Sequence, residues 1–211
     1  MPRGAAKKAK KAPPAKRTAI PAADLLDVGT DRRKWRSWLR RNHAKRTQVW
    51  LVYWRAASGR PRISYNAAVE EALCYGWIDS QQKGVDEDRV AQRFSPRRPG
   101  SGLSEMNRQR VLKLVASRRM TKAGLEAIAG SFDPEKPEPP VTMAADVRKA
   151  LRAEPAAWRN FQAFPEGYRR LRLAYVEAGR RHGPEQVAKR IRNLVAKSAA
   201  GKRFGAVKEM R

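Results

Sequence analysis

"EEALCYGWIDS", residues 70–80, changes its hydrophobic period at a glycine, and the architecture turns on that change. Up to Tyr75 it continues an amphipathic helix with Val69, Ala72 and Leu73 as the buried stripe. From Trp77 it alternates as a strand, with Trp77 and Asp79 on one face and Ile78 and Ser80 on the other. Gly76 sits between them, at the C′ position. A positive φ is cheap there only without a Cβ, so the glycine stops the helix and turns the chain into the strand.

On the N-terminal side, Ser64 is the expected N-cap of a helix over residues 65–75, without the acid that would complete a capping box. After the Trp77 strand, "QQKGVDED" supplies a turn and "RVAQRFS" a return strand. The return strand places Val90 and Phe94 on one side and Arg89, Ala91 and Arg93 on the other. A hairpin of this kind brings Asp79 near Arg89 or Arg93, depending on register. Upstream, "QVWLVYW", residues 48–54, is apolar on both faces and reads as a central strand covered on both sides. "DRRKWRSWLRRNH" opens with Asp31 as N-cap and sets Trp35, Trp38 and Leu39 on one helix face, opposite a face of arginine and lysine.

Downstream, Ser104 caps a helix over about residues 105–118, and Thr121 caps a short helix holding Leu125, Ile128 and Ala129. "FDPEKPEPP" reads as an extended linker. Beyond it Val147 and Leu151 mark one helix, and Pro155, Pro165 and Pro184 each start another, as proline suits a first helical turn. The expected organisation is a basic disordered arm over 1–22, an α+β domain over 23–131, a Pro-rich linker over 132–143, a helical region over 144–198 and a basic tail over 199–211. The fold class is α+β: a small, mostly antiparallel sheet with packed helices, followed by an all-helical C-terminal region.

The 47 Lys and Arg against 20 Asp and Glu leave a net charge of +27, which attracts anions and says nothing of fold. Cys74 is the only cysteine, so no intramolecular disulfide forms and a reducing compartment suits the chain. No run approaches the ~20 apolar residues of a membrane span. The positive N-terminus lacks the apolar core of a secretory signal, and a cytoplasmic location is expected. His43 and His182 have no ligand-spaced partners, and no nucleophile elbow, zinc-protease or dinucleotide motif occurs. No catalytic residue, metal or cofactor is assigned.

The loop "RFSPRRPGSGLS" is the candidate site. Arg93, Arg97 and Arg98 precede a turn that delivers Ser101 and Ser104 to a helix N-terminus, with Asn107 in its first turn. Guanidinium forks and free N–H groups there suit phosphate, sulfate or carboxylate. Trp77 and Asp79 would line the same cleft. The plainer reading is an N-cap loop with solvated arginines and an Asp79 that ties the hairpin. Cys74, at a helix C-terminus, reads as a small core residue. The basic arm, the Arg-rich first helix and Lys189, Arg190, Arg192 and Lys197 suit weak, salt-sensitive nucleic-acid binding without sequence recognition.

"SYNAAVEEALCYGWIDS", "RFSPRRPGSGLSEMN" and "RRMTKAGLEAI", in that order, resemble the YdeI/OmpD-associated proteins, also called the bacteriocin-protection family. The likeness runs over roughly residues 35–128, with a weaker one over about 147–203. Leu103 stands where that family's S-x-W-S-x-x-N carries its tryptophan. The resemblance implies a non-catalytic role in protection against bacteriocins and antimicrobial peptides, a part in envelope stress, and an envelope protein as partner. The alternatives are a cytoplasmic polyanion or nucleic-acid-binding protein and, third, a small-molecule enzyme of unknown reaction.

Overall fold

A computed structural model describes residues 19–137 and 139–205. The expectations for most of the basic arm and for the end of the basic tail therefore lie outside the described residues. The described residues divide into two compact units, residues 19–72 with 78–96, and residues 73–77 with those from 97 to 205.

The first unit is built on a four-stranded sheet in the order β1-β2-β4-β3. Its strands are β1 (Leu25–Leu26), β2 (Val49–Trp54), β3 (Trp77–Gly84) and β4 (Arg89–Pro96). β1 runs parallel to β2, with Leu25 opposite Trp50. β2 runs antiparallel to β4, from Val49 opposite Phe94 to Trp54 opposite Arg89. Residues directly opposite share a face. Val49, Leu51 and Tyr53 thus lie with Phe94, Gln92 and Val90 on one side, and Trp50, Val52 and Trp54 with Arg93, Ala91 and Arg89 on the other.

The first face is covered by two helices, α1 (Arg32–Asn42) and α2 (Tyr65–Cys74). Trp35 of α1 meets Phe94 at 5.3 Å between ring centroids, and its indole N–H donates to the carbonyl of Ala68 at 3.0 Å. Asp31 caps α1 by accepting from the N–H groups of Arg33 and Lys34. Among the described residues the second face is covered without an α-helix. Trp50, Val52 and Ala91 pack with Ile20, Leu25 and Val85, and cations roof the indoles. Arg60 lies 4.2 Å from the Trp54 ring centroid and Lys83 5.2 Å from that of Trp50. β2 is therefore interior and shielded on both sides, as its double apolar alternation requires.

The arginine face of α1 is not left wholly to solvent. Glu71, only 1% exposed, takes Arg32 Nε at 2.5 Å and Arg36 Nη1 at 2.7 Å, while Arg32 also reaches Glu70 at 2.6 Å. Despite burial, these carboxylates hold the Arg32 guanidinium above its ordinary pKa. The helix pair is thus locked by a buried carboxylate that the apolar pattern does not disclose.

The second unit contains α3 (Glu105–Ala116), α4 (Lys122–Glu126), α5 (Ala145–Arg152), α6 (Pro155–Ala163), α7 (Glu166–Glu177) and α8 (Pro184–Ala199). Val147, Leu151, Phe161, Val176 and Leu194 centre the core of the last four helices. Pro155 and Pro184 occupy the first helical turns of α6 and α8, whereas Pro165 is the N-cap of α7. α8 stops at Gly201, whose φ is +63°. The Gly201 and Lys202 N–H groups bond back to Ser198 and Lys197, and Asn160 of α6 takes the carbonyls of Ser198 and Ala199.

Two expectations meet a different arrangement. The compact units divide at Pro96/Arg97, whereas the sequence suggested a break near residue 131. The reason is packing: Met106 of α3 lies against Tyr168 and Leu171 of α7, which draws α3 to the helical side. The proline-rich segment is also not simply extended. Lys136 N–H closes a turn onto Asp133, and the carbonyl of Pro139 accepts from Arg170 on α7.

Candidate functional site

The Gly76 junction gathers the sequence's most distinctive motifs for a structural purpose. Gly76 has φ +72°, and a Cβ on it would stand 2.5 Å from the Cβ of Ala127. The carbonyl of Cys74 accepts from both Thr121 Oγ1, at 2.6 Å, and Thr121 N–H, at 3.2 Å. Thr121 at the same time caps α4 through Gly124 N–H. A Cβ on Gly124 would meet the Cys74 carbonyl oxygen at 2.3 Å, so only glycine allows α4 to approach this closely. Arg97 N–H closes the arrangement by donating to the carbonyl of Gly76 at 2.9 Å. The "CYGW", "SPRR" and "MTKAG" segments thus satisfy one another's backbone groups where a helix ends.

The residues expected to form an anion cleft have separate jobs. Trp77 is 1% exposed and belongs to the core, so it does not line a cleft. Asp79 is not paired with an arginine of β4; its carboxylate accepts from the Tyr65 hydroxyl at 2.7 Å. Arg93 donates to Gln48, which in turn donates to Asp24, and Arg89 is held by Asp86. Local hydrogen bonds claim these arginines before Asp79 can.

Arg97 points back into its own loop. Its guanidinium donates to the Ser101 carbonyl at 2.6 Å and to Ser101 Oγ and the Gly102 carbonyl at 3.2 Å, and burial lowers its pKa. Ser104 accepts from Asn107 N–H as the N-cap of α3, the Asn107 amide oxygen accepts from Arg110, and Glu105 supplies negative charge to the first turn. Only Arg98 among the loop's arginines is exposed. The plainer reading of this loop, a cap braced by an arginine, accounts for each of these contacts.

The first unit holds a cavity of about 540 Å³ that the sequence reading did not anticipate. Tyr53 and Gln92 line it from the buried side of the sheet, at 5% and 6% exposure. Arg62, Ser64, Tyr65 and Gln82 form its exposed rim. Ser64 caps α2 by accepting from Ala67 N–H, and Arg62 donates to the carbonyl of Trp54 at 2.6 Å. The Tyr53 hydroxyl is buried and has no hydrogen-bond partner. Burial, with the nearby Tyr65 and Asp79, pushes its pKa far above the ordinary phenol value, so it stays a neutral donor. The signal in the sequence was two polar residues, Tyr53 and Gln92, on the inward-facing alternation of otherwise apolar strands.

In the second unit Arg172, 7% exposed, is enclosed by aromatic rings. It lies 5.5 Å from Tyr168, 5.6 Å from Tyr175 and 4.9 Å from Phe204, and desolvation lowers its pKa. Among the described residues no group of three His, Cys, Asp or Glu could hold a metal ion, and no helix is long and apolar enough to cross a membrane.

Residues 140–201, which contain α5 to α8, match the protein family described as Bacteriocin-protection, YdeI or OmpD-Associated. Through this segment the chain is similar to the YdeI/OmpD-associated family. Residues 28–127 match a different family, Domain of unknown function (DUF8412). No curated protein and no solved structure matches the chain. The weight of the resemblance is therefore the reverse of the expectation: the YdeI/OmpD-associated match lies in the helices, not in the Gly76 motifs. The motifs of the N-terminal part are explained by the backbone contacts around Gly76.

Proposed function

We propose that the protein is a non-catalytic contributor to protection against bacteriocins and cationic antimicrobial peptides. The observation that carries this reading is the match over residues 140–201 to a family described as bacteriocin-protection. A net charge of +27 makes direct capture of cationic peptides repulsive, so protection on this reading is indirect, through an envelope protein and as part of a stress response. A cytoplasmic site of action belongs to the proposal, supported by Cys74, a buried cysteine outside any disulfide, which suits a reducing compartment. Expression of the full chain in a sensitive bacterial host tests it, against a frameshifted control. The expected result is higher survival at a fixed dose of a cationic peptide or a bacteriocin. Superimposable killing curves overturn the reading.

A second reading, polyanion binding, is favoured by the outer face of α8. Lys189, Arg192 and Lys197 are exposed there, without ion pairs among the described residues, opposite buried Val187 and Leu194. Arg190 does not join them, because it lies 4.2 Å over the Tyr175 ring. Binding of this kind falls steeply with salt.

A further inference from the structure

We propose that the cavity under α2 is a binding site for a small organic anion, a carboxylate- or phosphate-bearing molecule with a hydrogen-bonding body. The proposal is independent of the protection reading and lies in the other part of the chain.

The floor of the cavity carries the argument. Tyr53 and Gln92 come from neighbouring strands whose register puts Leu51 opposite Gln92 and Tyr53 opposite Val90, so both side chains leave the sheet on one face. Burying a hydroxyl without a partner is costly, and natural interiors rarely leave one so. The Tyr53 hydroxyl is such a group, and it belongs to a residue that lines an open space. The Gln92 amide, 6% exposed, lines the same floor. A phenol and a primary amide together offer donors and an acceptor to a polar molecule that enters.

The rim selects the charge of that molecule. Arg62 uses one nitrogen on the Trp54 carbonyl, which fixes the guanidinium and leaves its other N–H groups for an anion. The Ser64 oxygen accepts from Ala67 N–H, and its own O–H can still donate. Asp79, which accepts from the Tyr65 hydroxyl at 2.7 Å, keeps its charge but is not among the residues that line the cavity. The wall therefore presents a positioned cation and several donors. Its volume, about 540 Å³, falls within the ~300–1,000 Å³ of small-molecule sites.

The test is calorimetric titration of the full chain with AMP, citrate, inorganic phosphate and glucose, repeated on Tyr53→Phe and Arg62→Gln. The expected result is saturable one-to-one binding of AMP or citrate, with inorganic phosphate weaker because it lacks a body for the floor, and no binding of glucose. AMP without citrate identifies a phosphate ligand; citrate without AMP identifies a carboxylate. Each variant should weaken the bound probe at least tenfold, and Tyr53→Phe should melt no lower than the parent chain, because it removes only an unpartnered hydroxyl. Absence of saturable binding by both organic probes overturns the proposal. So does equal binding by both variants, which would mean attraction by net charge alone. A fall in the melting temperature of Tyr53→Phe also counts against it, because the hydroxyl would then have an internal role.

Discussion

Gly124→Ala is the perturbation that best separates local propensity from tertiary packing. In the middle of a helix, alanine is worth about 1 kcal/mol over glycine, so α4 taken alone predicts a more stable protein. The surroundings predict the reverse. The added Cβ would stand 2.3 Å from the oxygen and 2.7 Å from the carbon of the Cys74 carbonyl, and 2.9 Å from the Leu73 oxygen. These are backbone atoms at the end of α2 and cannot swing aside. Restoring ordinary contact requires α4 to retreat by about 1 Å. That retreat stretches the 2.6 Å bond from Thr121 Oγ1 to the Cys74 oxygen beyond hydrogen-bond range, at a cost of about 1 kcal/mol. Overpacking costs a further ~1–3 kcal/mol. After the propensity gain, the net loss is about 2 kcal/mol, or roughly 4–8 °C in Tm for a chain of this size. Thermal unfolding followed by circular dichroism measures it. Gly102→Ala is the control: nothing lies within 4 Å of its Cβ position, and its effect should stay within about 0.5 kcal/mol. A Gly124→Ala protein that melts at or above the parent temperature refutes the close-approach argument.

Other outcomes follow from the same geometry. Glu71→Ala removes the ion pairs to two arginines that are each about a third exposed, and Arg32 keeps Glu70, so the loss should sit below the ~3–5 kcal/mol of a broken buried pair, at about 2 kcal/mol by urea unfolding; a loss under about 1 kcal/mol would show that Glu71 does not lock α1 to α2. Tyr53→Phe should be neutral or stabilising by up to about 1 kcal/mol, since it removes an unsatisfied buried hydroxyl. The Asp146 carboxyl is held below its ordinary value of 3.8, chiefly by the hydrogen bond from Arg180 and also by Val147 N–H. A depressed folded-state pKa gives stability that is present above about pH 3.8 and lost as pH falls through the folded value; Asp146→Asn should flatten the acid limb of the stability curve, and an unchanged limb would remove Asp146 as a contributor. Replacing Lys189, Arg192 and Lys197 with glutamine should reduce the salt slope of DNA retardation by about 0.9 for each phosphate that is no longer neutralised; an unchanged slope excludes the outer face of α8 from binding.

Much of the architecture was legible because it depends on local pattern. Asp31, Ser64, Ser104 and Thr121 each cap the helix expected of them, since a short polar side chain before a periodic apolar run has few better uses. The β2–β4 pairing places Val90 and Phe94 opposite Arg89, Ala91 and Arg93, as alternation requires. Short β1 escaped notice because Leu25–Leu26 offers no period to read. The candidate site was the least legible part. Arg97, Ser101 and Ser104 looked like an anion loop, yet they spend their donors and acceptors on one another and on α3. The cavity that does hold an unpartnered hydroxyl is lined from three separated stretches of chain: Tyr53, then Arg62 to Tyr65, then Gln82 and Gln92.

The principal helices and strands, their caps, the glycine that ends α2 and the excess of positive charge can all be read along the chain. They follow from periodicity, steric freedom and composition, which act over a few residues or over the whole polymer at once. That Trp77 is core, that Asp79 answers Tyr65, that Glu71 binds two arginines and that Gly124 must remain bare became visible only after folding. The partner of a polar group, and the space beside a Cα, depend on which distant segment arrives there, and packing settles that.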